Sequence, residues 1–101
     1  LPKLYEYFGL VVFFFANEHE PVHVHGRYQE YETKAELIVR NGKVVEILFK
    51  PVRGRRPLPQ KPLVDFKELV ALHADEIVQK WIDFFVLGKK IKIKTIKRRL
   101  K

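Results

Sequence analysis

The stretch Val22-His23-Val24-His25-Gly26-Arg27-Tyr28, with Glu32-Thr33-Lys34-Ala35-Glu36-Leu37-Ile38-Val39 and Asn41-Gly42 behind it, decides the fold. Side chains alternate between faces along a strand, so Val24, Gly26 and Tyr28 share one side while His23, His25 and Arg27 share the other. The apolar set is expected to face a core and the basic set to face solvent. Ala35, Leu37 and Val39 alternate in the same way one strand later. Gln29-Glu30 reads as the reversal between these two strands. Asn41-Gly42 is the dipeptide favoured in a two-residue type I′ hairpin, and Val44 to Phe49 completes that hairpin.

Working outward, Phe8 to Ala16 is a continuous aromatic and β-branched run, too short for a typical helix, and reads as a buried strand. Asn17 to Pro21 is then a turn, and the first half becomes a four-stranded antiparallel meander. Lys50 to Pro62 holds four prolines, one glycine and five basic residues, which neither a helix nor an interior strand accepts. It reads as a loop. Leu63, Phe66, Val70, Ile77, Trp81 and Phe84 form one stripe at helical spacing, so residues 63–87 are predicted as one long helix closing one face of the sheet, stopped at Gly88. Lys90 to Thr95 alternates as a lysine-guarded edge strand does. The expected fold class is α+β in a single domain over 1–101: sheet 1–49, basic proline-rich loop 50–62, helix 63–87, and a basic C-terminal edge strand or tail over 89–101.

Composition narrows the chemistry. With 101 residues and 47% hydrophobic content, the chain is expected to bury one core. It has no cysteine, which excludes disulfides, thiolate zinc sites and cysteine nucleophiles, so any metal must use histidine and carboxylate. The longest apolar run, Leu10 to Ala16, falls far short of the roughly 20 residues of a membrane helix, and no signal peptide is read. A cytoplasmic protein without membrane contact is expected.

The net charge of +8 is unevenly spread. Residues 1–49 carry −2 and residues 62–88 carry −3, whereas residues 50–61 carry +5 and residues 89–101 carry +8. A slightly acidic body thus bears a basic loop and a basic tail. Arg53, Arg55, Arg56, Lys89, Lys90, Lys92, Lys94, Lys97, Arg98, Arg99 and Lys101, with Arg27, are the candidate phosphate contacts, since such clusters bind nucleic-acid backbones without sequence preference. Solubility and edge protection are the plainer account of the same charges. Ile91, Ile93, Ile96 and Leu100 argue that the tail packs on the sheet or on a second chain.

Three of the four histidines, His19, His23 and His25, fall within seven residues. They are candidates for acid/base catalysis, for holding a divalent metal with a donor from Asn17, Glu18 or Glu20, or for phosphate contact with Arg27. Against these stands a merely polar, solvated sheet face. His73 lies in the helical stripe and reads as a core histidine, and Trp81 as core.

Tyr7-Phe8-Gly9-Leu10-Val11-Val12, Asn17 to His25, Tyr28, Tyr31, Asn41-Gly42, and Leu72-His73 leading to Trp81 together resemble a small prokaryotic domain of unknown function whose signature reads Asp/Glu-His-x-Pro-Pro-His-x-His. Val22 stands where the second proline is usual. The resemblance implies no activity, but it implies toxin-antitoxin-like gene arrangements and hence a nucleic-acid or small-protein partner. Three readings follow. The leading one is a nucleic-acid-associated, toxin-antitoxin-like module that touches RNA or DNA through its His/Arg surface, basic loop and tail. The others are a protein-interaction module forming homo-oligomers, and a His-ligated metal-dependent or acid/base hydrolase.

Overall fold

Both tight turns read from the sequence form. Asn41 and Gly42 adopt φ of 53° and 77°, and Gln29 stands at 56° between the strands it reverses. The computed structural model describes residues 1–18 and 21–100, and it is an α+β fold with six strands and two helices. The strands are β1 (Lys3–Tyr7), β2 (Leu10–Phe13), β3 (His23–Tyr28), β4 (Tyr31–Arg40), β5 (Lys43–Pro51) and β6 (Lys94–Ile96), and the helices are α1 (Gln60–Leu72) and α2 (Ala74–Phe85). They form one sheet in the order β5-β4-β3-β2-β1-β6, antiparallel throughout except that β6 runs parallel to β1.

The expected four-stranded meander, β2 to β5, is therefore one side of a larger sheet, with β5 at its edge and β1 and β6 added beyond β2. The run from Phe8 to Ala16 is not one strand, because Phe8 and Gly9, at φ of 48° and 90°, turn the chain between β1 and β2. β1 was missed since its apolar residues are interrupted by Lys3 and Glu6. A register shift between Lys3 and Tyr5 lets both Leu4 and Tyr5 bury, which spoils the two-residue period that reveals a strand.

The expected single helix is two. The apolar stripe hides the break because it resumes in phase from Val70 to Ile77, while the backbone at His73 (φ −109°, ψ 18°) leaves helical geometry for one residue. The acidic pair Asp75 and Glu76 then opens α2, where the helix dipole favours negative charge. α1 begins earlier than expected because Pro62 falls in its first turn, where a missing N–H costs no helical hydrogen bond.

The core lies between the helices and one face of the sheet. Phe66, Leu69 and Val70 of α1 and Ile77 and Trp81 of α2 cover Tyr5, Val12, Phe14, Val24, Ala35 and Leu37. Gly26 is where α1 comes closest: a Cβ built there meets the Phe66 ring at 2.6 Å. The C-terminal segment is no loose appendage. β6 pairs with β1, Ile91, Ile96 and Leu100 pack on the core, and the Leu100 N–H donates to the Tyr7 hydroxyl at 3.1 Å. No helix among the described residues is long and apolar enough to cross a membrane.

Candidate metal centre on the second face of the sheet

The residues alternating with this core point to the opposite face, where Phe13 stands across from His25, and Arg27 across from Glu32. The sequence led to a solvated basic face here, and that expectation is corrected. His23 and His25 are only 4% and 3% exposed, and Glu32 1%. Aromatic groups exclude the water: Phe13 stacks on the His25 ring at 5.3 Å, Phe15 meets it edge-on at 4.9 Å, and Trp81 lies 5.3 Å from the His23 ring.

Buried imidazoles need partners for both nitrogens. On His23, Nδ1 lies 2.7 Å from the Pro21 carbonyl; a carbonyl only accepts, so this nitrogen carries the proton and donates. On His25, Nδ1 donates to Glu32 Oε2 at 2.9 Å. Each Nε2 then turns to one atom, Glu18 Oε1, at 2.9 Å from His23 and 3.0 Å from His25. Burial works to raise the Glu18 pKa, but the hydrogen bonds and positive charge of the two histidines outweigh it and hold the carboxyl below its usual range.

This arrangement has the form of a metal-ligand set. One donor atom from each of Glu18, His23 and His25 lies within 4.8 Å of the others. Two ligands about 2.1 Å from a shared ion at tetrahedral or octahedral angles are themselves about 3.0–3.4 Å apart, close to the two carboxylate–imidazole distances observed. The outer hydrogen bonds match as well, because metal-bound histidines donate their remaining N–H to a carboxylate or a backbone carbonyl. Glu32 and Pro21 are those acceptors.

Glu32 also gathers cations. Its Oε1 accepts from Arg27 Nε at 2.8 Å and lies 3.7 Å from Arg55 Nε. Of the other candidate phosphate contacts, Arg53 is exposed in the loop after β5, and Arg56 meets Glu32 through its backbone, its carbonyl accepting from the Glu32 N–H at 2.8 Å. Lys89, Lys90, Lys92, Lys94, Lys97 and Arg98 are exposed along the β6 edge, and the Arg99 guanidinium sits 3.9 Å over the Phe8 ring. With β6 three strands away from β3, the tail begins about 14 Å across the sheet from the histidines. His19, Glu20 and Lys101 lie outside the described residues.

His73 is half-buried at the helix junction, stacked on Tyr5 at 4.7 Å, and takes no part in the centre. Trp81 is core, as read from its spacing. Sequence reasoning missed Glu32 altogether. One signal could have found it: if Gln29-Glu30 is the turn, Arg27 must face Glu32 across the ladder.

The family described as a domain of unknown function (DUF4160) matches residues 9–82. That span holds Glu18, His23, His25, Arg27, Glu32 and Arg55. No curated protein and no solved structure matches the chain.

Proposed function

The chain belongs to the DUF4160 family of domains of unknown function, and from its site we propose that it is a metal-binding module of hydrolytic type, holding one divalent transition ion on Glu18, His23 and His25. One observation carries this reading: both Nε2 atoms meet the same carboxylate oxygen while both Nδ1 atoms are tied to acceptors. Without a metal ion, that geometry requires a proton between each Nε2 and the Glu18 oxygen. A divalent ion substitutes for the two Nε2 protons. Three protein ligands leave coordination positions for water and substrate, the pattern of catalytic rather than structural zinc sites.

Zinc titration by calorimetry tests it. One ion per chain is expected, with affinity falling as the pH is lowered because imidazole ligands must shed protons. His25→Ala and His23→Ala should each weaken binding by about 100-fold, and a chelator should lower the Tm of the zinc-loaded protein. Zinc binding equally tight in the double variant overturns the reading.

Association with nucleic acid is the second reading, and the position of the basic segments favours it. The Gly9 and Tyr28 turns are neighbours at one end of the sheet. Arg56 bridges to Tyr31 at that end and Arg99 covers Phe8 beside it. The loop and the tail thus meet at one pole.

A further inference from the structure

Arg27 is held in place twice. Its Nε donates to Glu32, and its guanidinium lies 4.8 Å over the Phe13 ring, the same ring that stacks on His25. Arg55 approaches the same Glu32 oxygen, also through Nε. Neither arginine spends its two Nη groups on a carboxylate among the described residues, and both side chains keep about a third or more of their surface exposed. The Nη fork is the part of arginine that grips a planar or tetrahedral oxyanion through paired hydrogen bonds, and a fork fixed in advance loses little freedom on binding.

The position is as informative as the chemistry. Glu32 offers Oε2 to His25 and Oε1 to the arginines, so one buried carboxylate links the ligand histidine to both forks. His25 and Arg27 are two residues apart on one strand face, a separation of about 7 Å. Because His25 Nε2 turns toward Glu18 and its Nδ1 toward Glu32, the forks stand across the imidazole from the ion's ligand atoms, and a phosphate held there belongs to a substrate that reaches past His25 to the ion. Charge agrees: a divalent ion and two guanidiniums face the carboxylates of Glu18 and Glu32, which leaves two positive charges for an incoming dianion.

We infer that Arg27, oriented by Glu32, together with Arg55, 3.7 Å from the same oxygen, forms a phosphate subsite beside the Glu18–His23–His25 centre, and that the substrate class of this site is phosphate esters. The inference rests on the metal reading above and names what that centre acts upon. The phosphoryl group has two possible sources, a free phosphate or monoester and the backbone of a nucleic acid, and they present the same oxygens to the forks.

The test uses the full chain carrying one equivalent of zinc, with uptake measured first. Equilibrium dialysis against radiolabelled inorganic phosphate and anisotropy with a labelled single-stranded oligonucleotide are then compared for the wild type, Arg55→Gln and Arg27→Lys. Arg27→Lys retains a cation for Glu32 and so guards against misfolding, yet it lacks the fork. Each variant is expected to keep zinc affinity within about threefold and to lose at least tenfold in phosphate affinity. Parallel loss of oligonucleotide binding assigns the subsite to a nucleic-acid backbone; loss confined to inorganic phosphate assigns it to free phosphate or a monoester. Normal zinc uptake with phosphate binding absent, or unchanged in both variants, overturns the subsite and leaves the metal reading standing. Failure to take up zinc overturns both.

Discussion

Gly26 shows how closely one residue can couple the two faces of this sheet. It lies between His25 and Arg27, and it lacks a side chain because the Phe66 ring occupies the space where one would be. Gly26→Ala pushes Cβ into ring atoms at 2.6 and 2.8 Å, so α1 or β3 must shift. A cost of about 1–3 kcal/mol in denaturant unfolding is expected from such overpacking, with partial rescue in the double variant carrying Phe66→Leu. An alanine variant as stable as the wild type contradicts the packing. The same scale explains what was legible of the site. The spacing of His23 and His25 puts both on one face, and that holds. Glu18 was one donor among three in reach, and it is the structure that brings its carboxylate to both imidazoles. Glu32 is a single acidic residue on a strand otherwise read for its apolar period, so its role emerges from the partner across the ladder.

At the level of elements, the junction between α1 and α2 has chemistry of its own. His73 stacks on Tyr5, Tyr5 donates its hydroxyl proton to Glu76, and His73 Nδ1 lies 3.8 Å from the same Glu76 oxygen. Desolvation lowers the His73 pKa despite the opposing pull of Glu76, with Lys94 and Lys80 adding to the decrease. The Tyr5 hydrogen bond, against desolvation, lowers that of Glu76. The signs follow from linkage. A histidine depressed on folding takes up its proton more readily in the unfolded chain, so its penalty is absent above the ordinary value of 6.5 and grows as the pH falls below it. The depressed carboxyl stabilises above 4.5, and that contribution is lost as the pH falls through its folded value. Thermal melts of wild type and His73→Asn between pH 7.5 and 5 (about the range in which histidine titrates) should show the wild type losing Tm faster, in a window clear of Glu76. Parallel curves rule the effect out. The helix stripe predicted this surface correctly but not its interruption, because periodicity registers phase and not continuity.

For the whole molecule, charge is the property that reaches furthest. The acidic body and basic segments gather cations at the pole formed by the β1–β2 and β3–β4 turns, and neutralising as few as two phosphates there predicts roughly tenfold weaker oligonucleotide binding between 50 and 200 mM salt. Lys97→Gln with Arg98→Gln should flatten that dependence; removal of residues 89–101 is a poorer test, since it strips β6 from β1 and takes away Ile91, Ile96 and Leu100, uncovering the core they pack on. Affinity that ignores salt, or the substitutions, sinks the second reading. The sequence by itself determined the central hairpins, the α+β class, the apolar helix face and the shared side of His23, His25 and Arg27, because turn dipeptides and periodicity act over a few residues. Only the tertiary structure decided that β1 extends the sheet, that the edge strand read in the tail is Lys94–Ile96 and runs parallel to β1, and that the histidines are buried against Phe13, Phe15 and Trp81 and converge on Glu18. These depend on contacts between residues far apart in the chain, or on which of several neighbouring donors a loop brings in, and no local pattern encodes either.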